Sequence, residues 1–251
     1  MAPTRETVII PDVHQNHRFV DKVLERHDLG SLHRLIFLGD FFDSKEPFFA
    51  HREALEATLQ RILKLVCELG DRMLILLGNH DVLYYFNREE GALDAVARNA
   101  LHSYYGLPNR ESLAVAASME LAPMWERVQL AHLEQGYLLT HAGVTSEFWS
   151  KRRSFEQNVA HLNHSMTGLL DAQGQLAPVF RAGFSRGGDA LRGGPLWLDW
   201  NQEFTEEIGI PQIVGHTVGS GFRQQGRSYC LDARQQGYGV LQAGQLSWVA
   251  V

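Results

Sequence analysis

The sequence predicts an α/β protein whose strands are buried in the middle of the molecule. Five short runs are rich in Ile, Leu and Val and flanked by Gly or Pro, which is typical of strands covered on both faces. The segments between the first three runs carry apolar residues at helical spacing. Each run also leads into Asp, Asn or His. Because ligands bind outside the carboxyl ends of the strands in open α/β sheets, these polar ends predict one shared site.

The first third of the chain predicts a β-α-β-α-β unit. Its three strand-like runs lie in ETVIIPDVH, HRLIFLGDFFD and LILLGNHDVL. Residues 17–29 carry an apolar helical face between the first two runs, and a longer apolar stripe extends from Leu55 to Val66 between the second and third. Crossovers of this kind are nearly always right-handed, so the three strands are expected to be parallel with their carboxyl ends together.

Longer helical and loop segments follow this unit. Residues 84–134 are predicted to be mainly helical, with a break at 106–108, and residues 148–170 are predicted to form another helical stretch. Residues 171–195 are rich in Gly and basic residues, which indicates a loop. Short strands with hairpin signals are predicted from residue 210 to the end of the sequence.

The chain is expected to be one domain covering residues 1–251, with helical insertions at about 84–134 and 146–170, because neither a repeat nor a linker separates its parts. Its apolar fraction of 45% and charged fraction of 21% are ordinary for a globular protein. The net charge of −6 gives no general attraction to nucleic acid or anionic membranes. The first strand begins near Thr7, and no apolar stretch of ~18 residues appears, so we expect a cytoplasmic protein.

The polar residues at the strand ends have the chemistry of metal ligands. Mixed nitrogen and oxygen donors suit Mn, Fe or Zn, and six donors exceed the needs of one tetrahedral zinc site. They suit two ions about 3.5–4 Å apart that share a carboxylate, an arrangement that catalyses phosphoryl transfer. The six candidate ligands are Asp12, His14, Asp40, Asn79, His141 and His216.

The order of these residues resembles the motif order of the calcineurin-like metallophosphoesterases. The resemblance implies a four-layer αββα sandwich with two mixed β-sheets. It extends to a bacterial branch similar to Ser/Thr protein phosphatases and diadenosine tetraphosphate hydrolases. The matching motifs are Asp-x-His at 12–14, Gly-Asp-x-x-Asp at 39–43, Gly-Asn-His-Asp at 78–81, His141, and Gly-His at 215–216.

The resemblance also implies how the site residues divide their roles. One metal would be held by Asp12, His14 and Asp40. The other would be held by Asp40, Asn79, His141 and His216. The expected cofactors are two divalent ions, with Mn²⁺ as first choice and Fe, Zn, Ni or Mg as alternatives. His80 would be the general acid or transition-state stabiliser, oriented by Asp43. We expect Asp81 to cap a helix or brace a loop rather than to bind metal.

The implied activity is hydrolysis of phosphomonoesters by in-line attack of a metal-bridging hydroxide. The expected partner is a phosphorylated substrate, either a small molecule or a phosphoprotein, with no nucleic acid or membrane. A dinucleoside polyphosphate hydrolase or phosphodiesterase is the alternative enzyme. An inactive scaffold that acts as a binding module is the alternative of another class.

The phosphate-binding residues are less directly predicted. The Arg that normally follows the second motif is replaced by Ser44, and no Arg lies between Trp197 and His216. Arginines of the Gly-rich loop are candidate replacements, because a guanidinium fork matches phosphate geometry. The candidates are Arg181, Arg186 and Arg192.

Overall fold

The computed structural model describes residues 6–43, 52–88 and 93–251. The first of its two sheets has the spatial order β11-β10-β1-β2-β3-β4 and is mixed. Within it, β1, β2 and β3 are parallel neighbours, so their carboxyl ends lie at one edge. The strands are β1 (Thr7–Ile10), β2 (Arg34–Phe37), β3 (Met73–Leu76), β4 (Val128–Gln129), β10 (Gly237–Gln242) and β11 (Gln245–Ala250).

The second sheet has the order β5-β6-β7-β9-β8 and is also mixed. Strands β6 and β7 are parallel neighbours, whereas β5 pairs with β6 in the antiparallel direction. The strands are β5 (Ala131–Glu134), β6 (Tyr137–Thr140), β7 (Gln212–Val214), β8 (Arg223–Gln225) and β9 (Ser228–Cys230).

The two sheets face each other, and helices cover their outer sides. Val8 and Ile10 belong to the core beneath the helices, whereas Ile9 belongs to the layer between the sheets. That layer also contains Leu139 and Ile213 from the second sheet. Burying one such aliphatic side chain contributes about 1.5–3 kcal/mol, which is why these strands carry apolar residues on both faces. The predicted αββα sandwich is therefore confirmed.

Helices α1 and α2 pack on the first sheet, and α7 packs against β5 of the second. None of the described helices has the length and apolar character that crossing a membrane requires. The helices are α1 (His17–Leu24), α2 (Arg52–Leu69), α3 (Val82–Phe86), α4 (Ala95–Tyr105), α5 (Arg110–Ser118), α6 (Ala122–Trp125) and α7 (Phe155–Ser165).

Some element boundaries differ from the sequence prediction. The predicted helical stretch at 84–134 contains the helices that end at α6, but β4 and β5 form its last part. Residues 89–92 of this stretch lie outside the described residues. The helix predicted at 148–170 begins only after Ser154, because the Ser154 hydroxyl and the Gln157 side chain form a reciprocal capping box.

Candidate metal centre and active site

The predicted ligands meet where the parallel strands of the two sheets end. All six side chains are buried, although burying polar groups is costly unless they are bound or bonded. The fold therefore brings together every ligand position that the sequence predicts. Asp12 and His14 follow β1, Asp40 follows β2, Asn79 follows β3, His141 follows β6, and His216 follows β7.

One group of ligand atoms is centred on His14. Its Nε2 lies 3.5 Å from Asp40 Oδ2 and 3.7 Å from Asp12 Oδ2. Its Nδ1 lies 2.9 Å from the carbonyl oxygen of Asp43. Because a carbonyl oxygen only accepts hydrogen bonds, Nδ1 carries the proton and leaves Nε2 as a lone-pair donor toward the two carboxylates.

A second group converges on the other side of Asp40. Asn79 Oδ1 lies 2.9 Å from both His141 Nε2 and His216 Nδ1, which are 3.2 Å apart. Asp40 Oδ2 lies 3.6 Å from His141 Nε2, so this one oxygen belongs to both groups. His141 Nδ1 donates to the Leu38 carbonyl at 2.7 Å, which again leaves Nε2 facing the site.

These atoms fit a divalent cation. His14 Nε2 is buried and makes no hydrogen bond with any described residue. The nitrogen–oxygen separations of 3.5–3.7 Å and the nitrogen–nitrogen separation of 3.2 Å match atoms that each lie about 2.0–2.2 Å from a shared metal ion. Burial and the neighbouring His141 lower the pKa of His216 well below its ordinary value, which keeps the imidazole neutral, the form that binds metal.

The backbone at the site is strained in a consistent way. Four non-glycine site residues have left-handed φ values: 43° at His14, 56° at Asp40, 60° at Asp43 and 64° at His216. This region is uncommon for residues with a side chain, and such strain persists only where surrounding contacts hold it. The fold therefore imposes conformations that place these side chains at the shared edge.

Two glycines of the motifs make room for ligand carboxylates. A Cβ on Gly78 would lie 2.2 Å from Asp40 Oδ1, and a Cβ on Gly215 would lie 2.3 Å from Asp12 Oδ1. Any side chain would push the carboxylates away, so the residue before Asn79 and the residue before His216 must be Gly.

Asp81 braces the loop that carries Asp40. Its carboxylate accepts backbone hydrogen bonds from Asp40, Phe41, Phe42 and Gly78 at 2.8–3.2 Å. The loop-bracing role predicted for Asp81 is confirmed, whereas its side chain makes no capping bond to α3. Burial and the Asp40 charge raise the pKa of Asp81 above its ordinary value, while its backbone donors favour the ionised form.

His80 occupies the open side of the candidate metal ligands. Its side chain is 42% exposed, and its Nδ1 lies 3.4 Å from Asp43 Oδ2. The His80 and His14 rings meet edge to face, with centroids 5.2 Å apart. Burial lowers the pKa of His80, but the charges of Asp40 and Asp43 outweigh it and raise the pKa to about 9. A cation bound at Asp40 would neutralise part of that charge and lower the pKa of His80 again.

Two aromatic residues near the site carry no sequence signal of function. Tyr84 donates a hydrogen bond of 2.8 Å to Asp43 Oδ1. Tyr105 accepts one of 2.8 Å from Trp197 Nε1, and the Trp197 ring centroid lies 5.7 Å from that of His216. Both tyrosines lie in helical stretches, where an aromatic residue predicts core packing. Only their tertiary contacts show that they lie next to the site residues.

The three candidate arginines have different partners. Arg186 contacts Thr217 Oγ1 at 2.8 Å, next to the candidate ligand His216, and pairs with Asp199 at 2.8 Å. Arg181 forms a two-pronged ion pair with Asp189 of its own loop. Arg192 pairs with Glu207 at 3.0 Å. Only Arg186 among the three candidates thus contacts a neighbour of a predicted ligand, and Ser44 lies outside the described residues.

Comparison with known families agrees with this geometry. A family model described as calcineurin-like phosphoesterase matches residues 6–220, which is most of the 251-residue chain. A search of curated proteins finds no match.

Solved structures with low sequence identity share the fold. A cold-active protein-tyrosine phosphatase of a psychrophilic Shewanella species is 17% identical with a TM-score of 0.65, and the match covers 98% of this chain and 80% of that one. A protein serine/threonine phosphatase from Saccharomyces cerevisiae is 16% identical with a TM-score of 0.54, and the match covers 100% and 81% of the two chains.

Proposed function

We propose a phosphatase function for this chain, which belongs to the calcineurin-like phosphoesterase family and is therefore a metal-dependent hydrolase. The proposed reaction is hydrolysis of phosphomonoesters at a dinuclear metal centre. One observation carries this proposal: Asp40 Oδ2 lies 3.5 Å from His14 Nε2 and 3.6 Å from His141 Nε2, on the two sides of the site. A carboxylate in that position can bridge two ions.

The proposed ligand division follows the two groups of atoms. One ion would be held by Asp12, His14 and Asp40. The other would be held by Asp40, Asn79, His141 and His216. Mn²⁺ is the proposed metal at both positions. When bound, the two ions lower the pKa of water and neutralise the charge that develops on phosphate during in-line displacement.

His80 is proposed to protonate the leaving oxygen. Cleavage of an alkyl phosphate releases an alkoxide, which is a poor leaving group at neutral pH. The partly exposed His80 ring can reach a substrate, and Asp43 on its Nδ1 side favours the protonated ring and fixes its direction. Proton donation of this kind typically contributes ~10²–10⁴-fold to the rate.

A phosphoprotein is the proposed substrate among phosphomonoesters. The structural neighbours with TM-scores above 0.5 include enzymes named as protein-tyrosine and serine/threonine phosphatases. Large apolar side chains are also exposed in the segment after α4, at Leu107 (79%), and around Arg186, at Phe184 (65%) and Leu191 (79%). Phe184 lies two residues from Arg186, which we propose as the phosphate-binding arginine because it contacts Thr217, the residue after His216. Exposed apolar side chains of this kind suit a polypeptide substrate more than a small polar one.

We further propose that residues 1–251 act as one domain with two helical insertions, the first of which ends at α6, and that the protein works in the cytoplasm. A substrate screen tests the function. Purified protein with Mn²⁺ would be given phosphopeptides, p-nitrophenyl phosphate, its bis-ester and diadenosine tetraphosphate, with Asp40→Asn as the matched inactive control. We expect the monoesters to be turned over fastest.

Other outcomes of the screen identify the alternatives. Preferred cleavage of diadenosine tetraphosphate or the bis-ester would replace the phosphatase with a polyphosphate hydrolase or a phosphodiesterase. No turnover of any substrate would favour the inactive scaffold.

A further inference from the structure

We propose that Tyr84 is a positioning residue that holds the Asp43 carboxylate in place so that Asp43 can orient His80. Tyr84 is buried and bonded to Asp43, so it would act through its neighbour rather than as a catalytic residue. This inference rests on the proposed function, because it assigns a role within the same reaction.

The two oxygens of Asp43 have separate partners. Tyr84 donates its hydroxyl proton to Oδ1 at 2.8 Å, whereas Oδ2 lies 3.4 Å from His80 Nδ1. A hydrogen bond to one oxygen fixes the rotation of the carboxylate about its Cβ–Cγ bond. The other oxygen is then aimed at the imidazole, and the ring is held with Nε2 on the side away from Asp43.

Tyr84 is itself rigidly held. Its side chain is buried, and its ring stacks on Phe42 with centroids 4.1 Å apart and planes 14° apart. Its hydroxyl oxygen also accepts a hydrogen bond of 3.3 Å from the backbone N–H of Asn109. Burial and the Asp43 charge raise the pKa of Tyr84 above its ordinary value, so the hydroxyl keeps the proton that it donates.

Asp43 needs such a support more than the other site carboxylates do. Its side chain is 32% exposed, whereas those of Asp12 and Asp40 are buried and tied to backbone N–H groups of His216 and His80. Asp43 also has a left-handed φ of 60°. A partly exposed carboxylate without a fixed partner would rotate freely, so the Tyr84 hydroxyl supplies the constraint that backbone donors give elsewhere.

The test compares Tyr84→Phe with Tyr85→Phe on an alkyl phosphate and on p-nitrophenyl phosphate. Tyr85 neighbours Tyr84 but packs against Phe86 and Trp125 instead, so it is a matched control. We expect Tyr84→Phe to lower kcat about ten- to a hundredfold for the alkyl phosphate, the size of a misplacement effect, with KM and metal content unchanged. The loss should be smaller for p-nitrophenyl phosphate, whose leaving group needs little protonation.

The ratio of the two rates is independent of how much of the variant is folded. An equal loss on both substrates would therefore overturn the positioning role and make Tyr84 a structural residue, even if the variant is less stable. In an Asp43→Ala background, Tyr84→Phe should cause no further loss of kcat. An additional loss there would show that Tyr84 acts independently of Asp43.

Failure of this inference can be separated from failure of the proposed function. If the wild-type chain hydrolyses no phosphomonoester, the function is wrong. Suppose instead that the wild type and Tyr85→Phe are active, and that Tyr84→Phe loses either no activity or the same fraction of it on both substrates. Only the positioning inference is then wrong.

Discussion

The candidate ligands at the strand ends and the arginine loop at residues 181–192 are held in different ways. The candidate ligands are buried, and Asp12 and Asp40 are fixed by backbone contacts, such as the His216 N–H that donates to Asp12 Oδ1 at 2.9 Å. The arginines of the loop are partly exposed and held by side-chain carboxylates, as Arg186 is by Asp199. The first region is therefore preorganised by the fold, whereas the second depends on individual ion pairs.

This difference predicts where substitutions matter. A change in the buried cluster leaves other polar groups buried without their partner, which is costly. A change in a solvent-screened ion pair of the loop costs little unless the side chain also contacts the substrate. The expected loss of activity is therefore largest for substitutions at the centre of the buried cluster and smallest for those at the ends of the loop.

Asp40→Asn should have the largest effect on activity. The amide keeps the shape of the side chain but removes the charge from the oxygen that lies in both ligand groups. We expect kcat/KM for p-nitrophenyl phosphate to fall at least about 10⁴-fold at saturating Mn²⁺, because both ions contribute to the same displacement. Asp71→Asn is a control, since Asp71 is exposed. If the variant retained about a tenth of the wild-type activity, Asp40 would not be the shared carboxylate at the centre of the site.

His80→Asn should have the next largest effect. Losing a proton donor is expected to lower kcat for an alkyl phosphate by ~10²–10⁴-fold, with a smaller loss for p-nitrophenyl phosphate and unchanged metal content. His161→Asn on the exposed side of α7 is a control for loss of an imidazole. Loss of bound metal in His80→Asn would instead make His80 a ligand.

The arginine substitutions should have the smallest effects and should differ from one another. Arg186→Ala should lower kcat/KM about thirtyfold, which corresponds to about 2 kcal/mol for one charge-assisted donor. Arg181→Ala and Arg192→Ala should change it by less than about twofold, as expected for screened surface pairs. If all three substitutions lowered kcat/KM equally, contact with the residue next to His216 would not identify the phosphate-binding arginine.

The buried region could be predicted from the sequence because each ligand follows an apolar strand. Parallel strands in one layer bring their carboxyl ends together, so Asp40 and Asn79 are neighbours in space as well as in strand order. The glycines before them are visible in the motifs too. The left-handed backbone at His14 and His216 could not be predicted, because it results from tertiary contacts that no local pattern encodes.

The second region could be predicted only as a set of candidates. The sequence places three arginines in one Gly-rich loop, but which of them faces the site depends on partners far along the chain. Asp199 and Thr217 position Arg186, and Glu207 holds Arg192. Tyr84 was missed for the same reason, since its partner Asp43 lies 41 residues away.

The central claim is that Asp40 is shared by two bound metal ions, and counting the metal ions on each chain tests it most directly. Native mass spectrometry of wild-type protein and of Asp40→Asn, both titrated with Mn²⁺, would give the number bound per chain. Our account predicts two ions on the wild type and weakened binding at both positions in the variant, since a carboxylate common to both groups would be lost. A single ion on the wild type, or a variant that binds two ions as tightly as the wild type, would contradict it.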